Sequence, residues 1–239
     1  MLNKSLNKSL VVAKTNLRNI KLAYIITAVT AGSIVIQDIV YVILNMFGIN
    51  IGAGEGMMGA GNMLFLLIIL SAVFIPSMNF RKMMNLGGRR GNFFTGCAVT
   101  YAIMAACVSL ASIILYYTYE NAVTSYFDGW TLNVLYWFGW ADNGAVIAFF
   151  QQFAFLFLAA CVIHTLAAAQ DKWYGWVADI LIIAVISVFT PIAPLRAALV
   201  WFFNLIIFHS NAFLQIVACL ILALAVYSLN KLILARKVI

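Results

Sequence analysis

An all-α integral membrane protein with six transmembrane helices is the fold class this sequence predicts, and three observations predict it. Of 239 residues, 65% are hydrophobic and 9% charged, whereas a soluble domain runs at about 45–50% apolar and about 25% charged. The apolar residues gather into runs of the roughly 20 needed to cross about 30 Å of hydrocarbon. The few cations are also sorted: of the fourteen Lys and Arg, all but Arg196 fall in segments that the runs place on one side of a bilayer, as the positive-inside rule expects of a polytopic protein.

Leu22–Phe47, Met57–Pro76, Phe93–Thr118 and Gly144–Ala169 qualify as spans; a fifth region starts near Trp176, and the last span runs from Ala212 to Leu229. The connectors are short, with no soluble domain among them. Lys4, Lys8, Lys14, Arg18 and Lys21 precede the first span. Arg81, Lys82, Arg89 and Arg90 join the second to the third, Lys172 joins the fourth to the fifth, and Lys231, Arg236 and Lys237 follow the last. The opposite connectors hold Glu55, Glu120, Asp128 and Asp142. Both termini are therefore expected in the cytoplasm and the chain in the cell membrane. No cleavable signal peptide is expected, because the chain starts polar and basic and no small-residue cleavage site follows the first apolar run. The net charge of +7 reflects this sidedness plus attraction to anionic lipid, about 1 kcal/mol per surface cation, and not nucleic acid.

Pro191 and Pro194 interrupt the fifth region, and Leu195–Phe208 beyond them is too short to cross comfortably. A full crossing there would also put Lys231, Arg236 and Lys237 outside. A broken, re-entrant outer hairpin before the last span satisfies both constraints, provided protein or a cavity covers its irregular backbone. Cys97, Cys107, Cys161 and Cys219 fall inside spans without metal spacing and read as small buried hydrophobes.

Residues 1–21 form the first of two regions, with the six-span domain occupying 22–239. Leu6, Leu10, Ala13, Leu17 and Ile20 recur at helical spacing, one apolar stripe among five cations. That pattern predicts an amphipathic helix lying in the headgroup plane. The connector Asn79–Phe94 reads NFRKMMNLGGRRGNFF. A short helix over Phe80–Leu86 would present Phe80, Met83, Met84 and Leu86 beside Arg81 and Lys82. Gly87 and Gly88 can end it, and Arg89 and Arg90 precede the aromatic pair that re-enters the bilayer. Apolar side chains among four cations suit docking into a groove on another protein.

A short helix, then Leu-Gly, then Arg and two Phe before the third span resembles the coupling helix of bacterial ABC type-2 exporter permeases. The matching residues are Arg81, Leu86, Gly87, Arg90, Phe93, Phe94 and Gly96; Gly88 stands where a bulkier residue is commoner in that family. The N-terminal helix, the six-span layout and the broken outer hairpin extend the resemblance over the whole chain. It implies a permease docked through Phe80–Arg90 to an ABC ATPase, two copies of which bind ATP and magnesium while this chain binds no cofactor. It also implies a second permease chain, identical or different. The family exports lipids, polysaccharides, drugs and antimicrobial or amphipathic peptides, and spans with few fixed charges favour a hydrophobic or amphipathic substrate. The sequence itself holds no G-x-x-x-x-G-K-[ST] phosphate loop, so any ATPase must be a separate chain.

Polar side chains inside a bilayer cost enough to need a reason. Gln37 and Asp38 lie in the outer half of the first span, where Asp38 either faces a transport pathway or bonds to an Asn or Gln of a neighbouring helix. Gln151 and Gln152, near the outer end of the fourth span, either line a cavity or bond to neighbouring helices. His164 and Asp179 lie at similar depth on helices joined by a short connector and are expected to form a charge-assisted structural pair. Six glycines, Gly48, Gly52, Gly54, Gly56, Gly59 and Gly61, make the first outer loop flexible. Tyr126, Phe127, Trp130, Tyr136, Trp137 and Trp140 on another outer loop read as interfacial anchors or as ring faces at an exit. No catalytic or metal set is found: H-E-x-x-H, G-x-S-x-G and paired intramembrane Glu are all missing. An intramembrane enzyme is thereby disfavoured. An ion-coupled transporter or channel is the alternative, but many such folds carry two matching broken helices and one is visible here.

Overall fold

A computed structural model describes residues 2–49, 57–124 and 131–236. Glu55, Gly52, Gly54, Gly56, Tyr126, Phe127, Asp128, Trp130 and Lys237 lie outside the described residues, as do the side chains of Lys4, Leu6 and Arg236. The apolar runs are largely helical. A short amphipathic helix α1 (Leu2–Asn19) is followed by α2 (Lys21–Met46), α3 (Ala60–Asn85), α4 (Arg90–Thr124), α5 (Ala145–Ala169), α6 (Trp173–Phe189), α7 (Ala193–Phe208) and α8 (Ala212–Arg236). Helices α2, α3, α4, α5 and α8 are each long and apolar enough to cross a membrane, the composition a transmembrane protein requires. The α6–α7 pair passes the same test only together and is bent by 118° at the break. Pro191 and Pro194 explain the bend, since neither has an N–H to continue a helix and Pro194 sits in the first turn of α7.

The two ends of the bundle differ in chemistry. One, the basic end, gathers α1, the α3–α4 connector and the last turns of α5 and α8. At the other, Met57–Met58 pairs in parallel with Thr131–Leu132, tying the α2–α3 connector to the α4–α5 connector. Helix α5 is the axis and packs against α8, α4 and α3. Its Ala148, Ala154, Ala160 and Cys161 are buried, and such small side chains let neighbouring backbones approach where no hydrophobic effect drives association.

The face of α1 that packs keeps Ala13, Leu17 and Ile20 of the predicted stripe but leaves out Leu10. Ser9, Val12, Ala13, Asn16 and Ile20 are buried, whereas Leu10 is 47% exposed. Shape decides the face: Val12 fills the space over Gly96 of α4, where an added Cβ would stand 2.5 Å from Val12 Cγ1. Polar contacts then fix the register. The hydroxyls of Ser9 and Thr95 share a hydrogen bond at 2.6 Å. Asn16 Nδ2 donates to Cys97 Sγ at 3.5 Å, and Asn79 Nδ2 donates to Asn16 Oδ1 at 3.2 Å. Helix α1 is thus fastened to α3 and α4, and Leu10 and Val11 remain on the surface. Gly96→Leu is expected to overpack this contact, at about 1–3 kcal/mol, and to release α1. Faster trypsin cleavage at Lys14 and Arg18 than in the wild type checks it.

Candidate functional site

At the basic end, α3 passes through a π-helical turn at Ile75–Asn79, which contains Pro76, and finishes in Phe80–Asn85. Gly87 then takes φ +78°. Gly87 N–H donates to Met84 O at 3.0 Å and Gly88 N–H to Met83 O at 2.9 Å, the paired bonds of a Schellman motif. Both glycines are required. The first needs the left-handed region, and a Cβ on Gly88 would stand 2.6 Å from Met83 O, which accounts for the missing bulk at that position.

This geometry corrects which side chains the connector presents. Phe80 is fully buried, with its ring 5.3 Å from that of Phe93 in an edge-on contact, and Met84 packs into the same core. They lie four residues apart, so both fall on the inner face of the helix. Arg81, Lys82 and Arg89 are exposed, Met83 and Arg90 are half-buried, and Leu86 is 85% exposed at the tip. An apolar residue held out on a rigid turn among cations is the surface this connector offers.

The polar residues of the spans make several separate sets of contacts. At the far end, Gln37 and Asp38 face different ways. Asp38 is buried and accepts from the Tyr119 hydroxyl at 3.1 Å, beside an apolar cavity of about 310 Å³ between the Ile39–Met46 face of α2 and Tyr119, Ala122 and Val123. Gln37 is exposed, and its Nε2 donates to Tyr41 Oη at 3.3 Å. The partner of Asp38 is thus a tyrosine of α4.

A second network holds the α6–α7 pair to the bundle. Gln151 Oε1 accepts from Asn143 Nδ2 at 3.1 Å, and its Nε2 donates to Gln215 Oε1 at 2.5 Å. Gln215 Nε2 passes the contact to Ile206 O at 3.0 Å, and Cys219 Sγ donates to the same carbonyl at 3.4 Å. The buried Trp140 donates from Nε1 to Ile207 O at 2.9 Å. Both carbonyls belong to the π-helical turn Asn204–Phe208 that ends α7. Of the aromatic loop residues, Trp140 is therefore a clamp, while Tyr136 and Trp137 are mostly exposed. Gln152 is fully buried, and neither of its amide atoms has a protein partner among the described residues.

The expected His164–Asp179 pair is not made. His164 Nδ1 and Tyr101 Oη lie 2.5 Å apart, and Asp179 accepts from Gln170 Nε2 at 2.6 Å. Helix α5 turns His164 toward α4 and α8, where Tyr101 and Tyr227 flank it, and Asp179 on α6 is served by the end of α5. Cys97, Cys161 and Cys219 are buried, Cys107 is exposed, and all four are free thiols. No group of three or more His, Cys, Asp or Glu side chains that could hold a metal ion occurs among the described residues.

Glu120 is the residue that charge counting misplaces. It is buried at the end of the π-helical turn Tyr116–Glu120 and accepts from Gly61 N–H at 2.9 Å and from Asn133 Nδ2. Gly59 and Gly61 make room for it, since a Cβ on Gly59 would lie 2.8 Å from its Oε2. Asn62 completes the clasp, donating to Leu132 O at 2.6 Å and accepting from Val134 N–H at 3.0 Å. These two glycines thus belong to a structured helix start and not to a flexible loop. The G-x-G-N order preceding an apolar run is the signal in the sequence. No protein-family model matches the chain, nor does any curated protein or solved structure.

Glu120→Ala leaves the Gly61 N–H and the Asn133 amide buried without an acceptor and is expected to destabilise by about 1–3 kcal/mol. Glu120→Gln keeps an acceptor for Gly61 and should cost less. Thermal unfolding in detergent checks the order, and equal loss in both variants contradicts the clasp.

Proposed function

We propose that the chain is the membrane-spanning permease subunit of an ATP-driven ABC type-2 exporter. It resides in the cell membrane with both termini in the cytoplasm. It moves a hydrophobic or amphipathic substrate (a peptide, toxin, drug or lipid) outward, powered by a separate ATPase subunit present in two copies. ATP and magnesium bind on that partner, and a second permease chain completes the pathway. The single observation that carries this reading is the Leu86 tip. An apolar side chain 85% exposed, flanked by Arg81, Lys82 and Arg89 on a turn that two glycines make rigid, is a plug shaped for a groove on a soluble partner. It is also mechanically coupled, because α3 and α4 leave the same turn, and α1 is bonded to both.

Burying Leu86 in a partner's groove contributes about 1.5–3 kcal/mol, and every 1.4 kcal/mol is about tenfold in affinity. Leu86→Asp is therefore expected to weaken ATPase association at least about tenfold and to uncouple hydrolysis from transport. Co-purification and permease-stimulated ATPase activity measure it. Unchanged association, or export by the chain with no ATP-binding partner, sinks the assignment. Phe80 and Met84 are unsuitable for this test, since both pack inward and their loss would disturb the fold.

The outer side follows from the same reading. The bent α6–α7 pair is a re-entrant hairpin open to the exterior, and its break borders the exit of the pathway. Single cysteines at Arg196 and His209, in a Cys107→Ala background, should react with a membrane-impermeant thiol reagent added to intact cells. One at Lys231 should react only after permeabilisation. Labelling of position 231 from outside overturns this topology.

A further inference from the structure

Helix α1 lies across the foot of α4 and turns its cations away from the protein. Ser9 is bonded to Thr95 and Asn16 to Cys97. Over those seven residues α1 advances about 10 Å, while its contacts move two residues, about 3 Å, along α4. The chain then turns into α2 at Ile20, whose backbone leaves the helical region at φ −93° and ψ 33°. Ser9, Val12, Ala13, Asn16 and Ile20 face the bundle. Lys14 and Arg18, one turn apart, fall on the opposite side of the helix, and Lys21 follows at the junction with α2. All three are exposed. No Asp or Glu occurs in the chain before Asp38, and that carboxylate is engaged with Tyr119 in the other half of α2.

Beside these cations the surface is apolar and open. Leu10, one turn before Lys14, is exposed, and Leu22, Ile25 and Val29 descend α2 from Lys21 at helical spacing, each more than half exposed. They form a ladder about 10 Å long. Positive charge at the head of exposed hydrocarbon matches the layout of an anionic phospholipid, with the headgroup at the interface and the acyl chains beneath. An acidic protein on the water side meets the cations but not the ladder, which a molecule immersed in the bilayer reaches. The helix also touches both sides of the Leu86 turn, through Ser9–Thr95 on α4 and Asn16–Asn79 on α3. A lipid seated here therefore rests on the element that joins them.

We infer that Lys14, Arg18 and Lys21 hold the phosphate of one anionic phospholipid, with an acyl chain laid along Leu22, Ile25 and Val29. Diffuse attraction to a basic surface follows total charge, whereas a site follows these three residues. The site requires neither an ATPase nor transport.

Phosphatidylglycerol is titrated into the detergent-solubilised full chain, and the first bound lipid is followed by native mass spectrometry. One variant combines Lys14→Gln, Arg18→Gln and Lys21→Gln. A second combines Arg81→Gln, Lys82→Gln and Arg89→Gln, removing the same charge from the Leu86 turn. The first is expected to bind phosphatidylglycerol at least about tenfold more weakly, and the second within about twofold of the wild type. A third variant, Lys14→Arg with Arg18→Lys and Lys21→Arg, keeps the charges and should bind as the wild type does. Glycerol phosphate in large excess, which offers the headgroup without chains, should not displace the lipid. Equal weakening in both Gln variants overturns the site in favour of diffuse attraction. Unchanged binding in the first variant, displacement by glycerol phosphate, or equal affinity for phosphatidylcholine overturns it as well. Loss of ATPase co-purification in the first variant with lipid binding intact assigns the cations to a protein partner instead. Because the titration contains no ATPase, its failure leaves docking at Leu86 untouched, and failure of ATPase association at Leu86 leaves the lipid site standing.

Discussion

Hydrocarbon gives a backbone carbonyl no second chance. Where a helix in water can open and let solvent take over a lost bond, a helix in lipid must find every partner within the protein. The irregular parts of this chain are organised by that demand. The π-helical turn at the end of α7 frees carbonyls, and Gln215, Cys219 and Trp140 supply donors to Ile206 and Ile207 from α8 and from the α4–α5 connector. Elsewhere in the spans several hydroxyls turn back on their own helices, Thr100 on Gly96 O, Thr165 on Cys161 O, Thr118 on Ile114 O and Ser77 on Val73 O, whereas those of Thr27, Ser71 and Ser109 have no protein partner among the described residues. The bend between α6 and α7 is tolerable because its far side is clamped this way.

The same demand explains why the basic end behaves as one piece. Asn16, Asn79 and Cys97 are buried polar groups on three different elements, and each finds its partner in another. Moving α1 alone would leave amides unpaired in a low-dielectric environment, where such groups are costly. Displacement of the Leu86 tip therefore carries α1, the end of α3 and the start of α4 together. Helix α2 is outside this arrangement, joined to the bundle mainly through Ala23, Thr27 and the Asp38–Tyr119 contact.

The spans are legible in the sequence because hydropathy is a sum along one dimension. The stretch Gly144–Ala169 read from composition is, within one residue, the helix Ala145–Ala169. The short helix after Asn79 and its glycine stop are legible for a different reason, since Gly-Gly after six helical residues has few conformations to choose from. What escapes is azimuth, the direction a side chain takes around its helix. Depth alone makes His164 and Asp179 candidates for a pair, and rotation gives each a nearer partner. Leu10 belongs to an unbroken apolar stripe, yet Val12 is the residue that fits Gly96, and steric fit between helices leaves no periodic trace. Phe80 and Met84 are hidden by the same four-residue spacing that would have displayed them had α3 ended one turn sooner. Glu120 escapes because its burial depends on two glycines nearly 60 residues away in sequence.

Two of the buried polar keys, Asn79 and Glu120, share a position: each is the last residue of a π-helical turn. Such a turn holds one residue more than an α-turn, and each residue of an α-helix advances the chain by about 100°. The extra residue thus resets the phase of everything after it and swings Asn79 toward Asn16 and Glu120 toward Gly61. Length in these turns is a rotational setting. Deleting one residue from Tyr116–Tyr119 would leave α4 apolar, helical and long enough to span, with its carboxylate pointed at the wrong neighbour. At these two turns the chain is intolerant of a change in count.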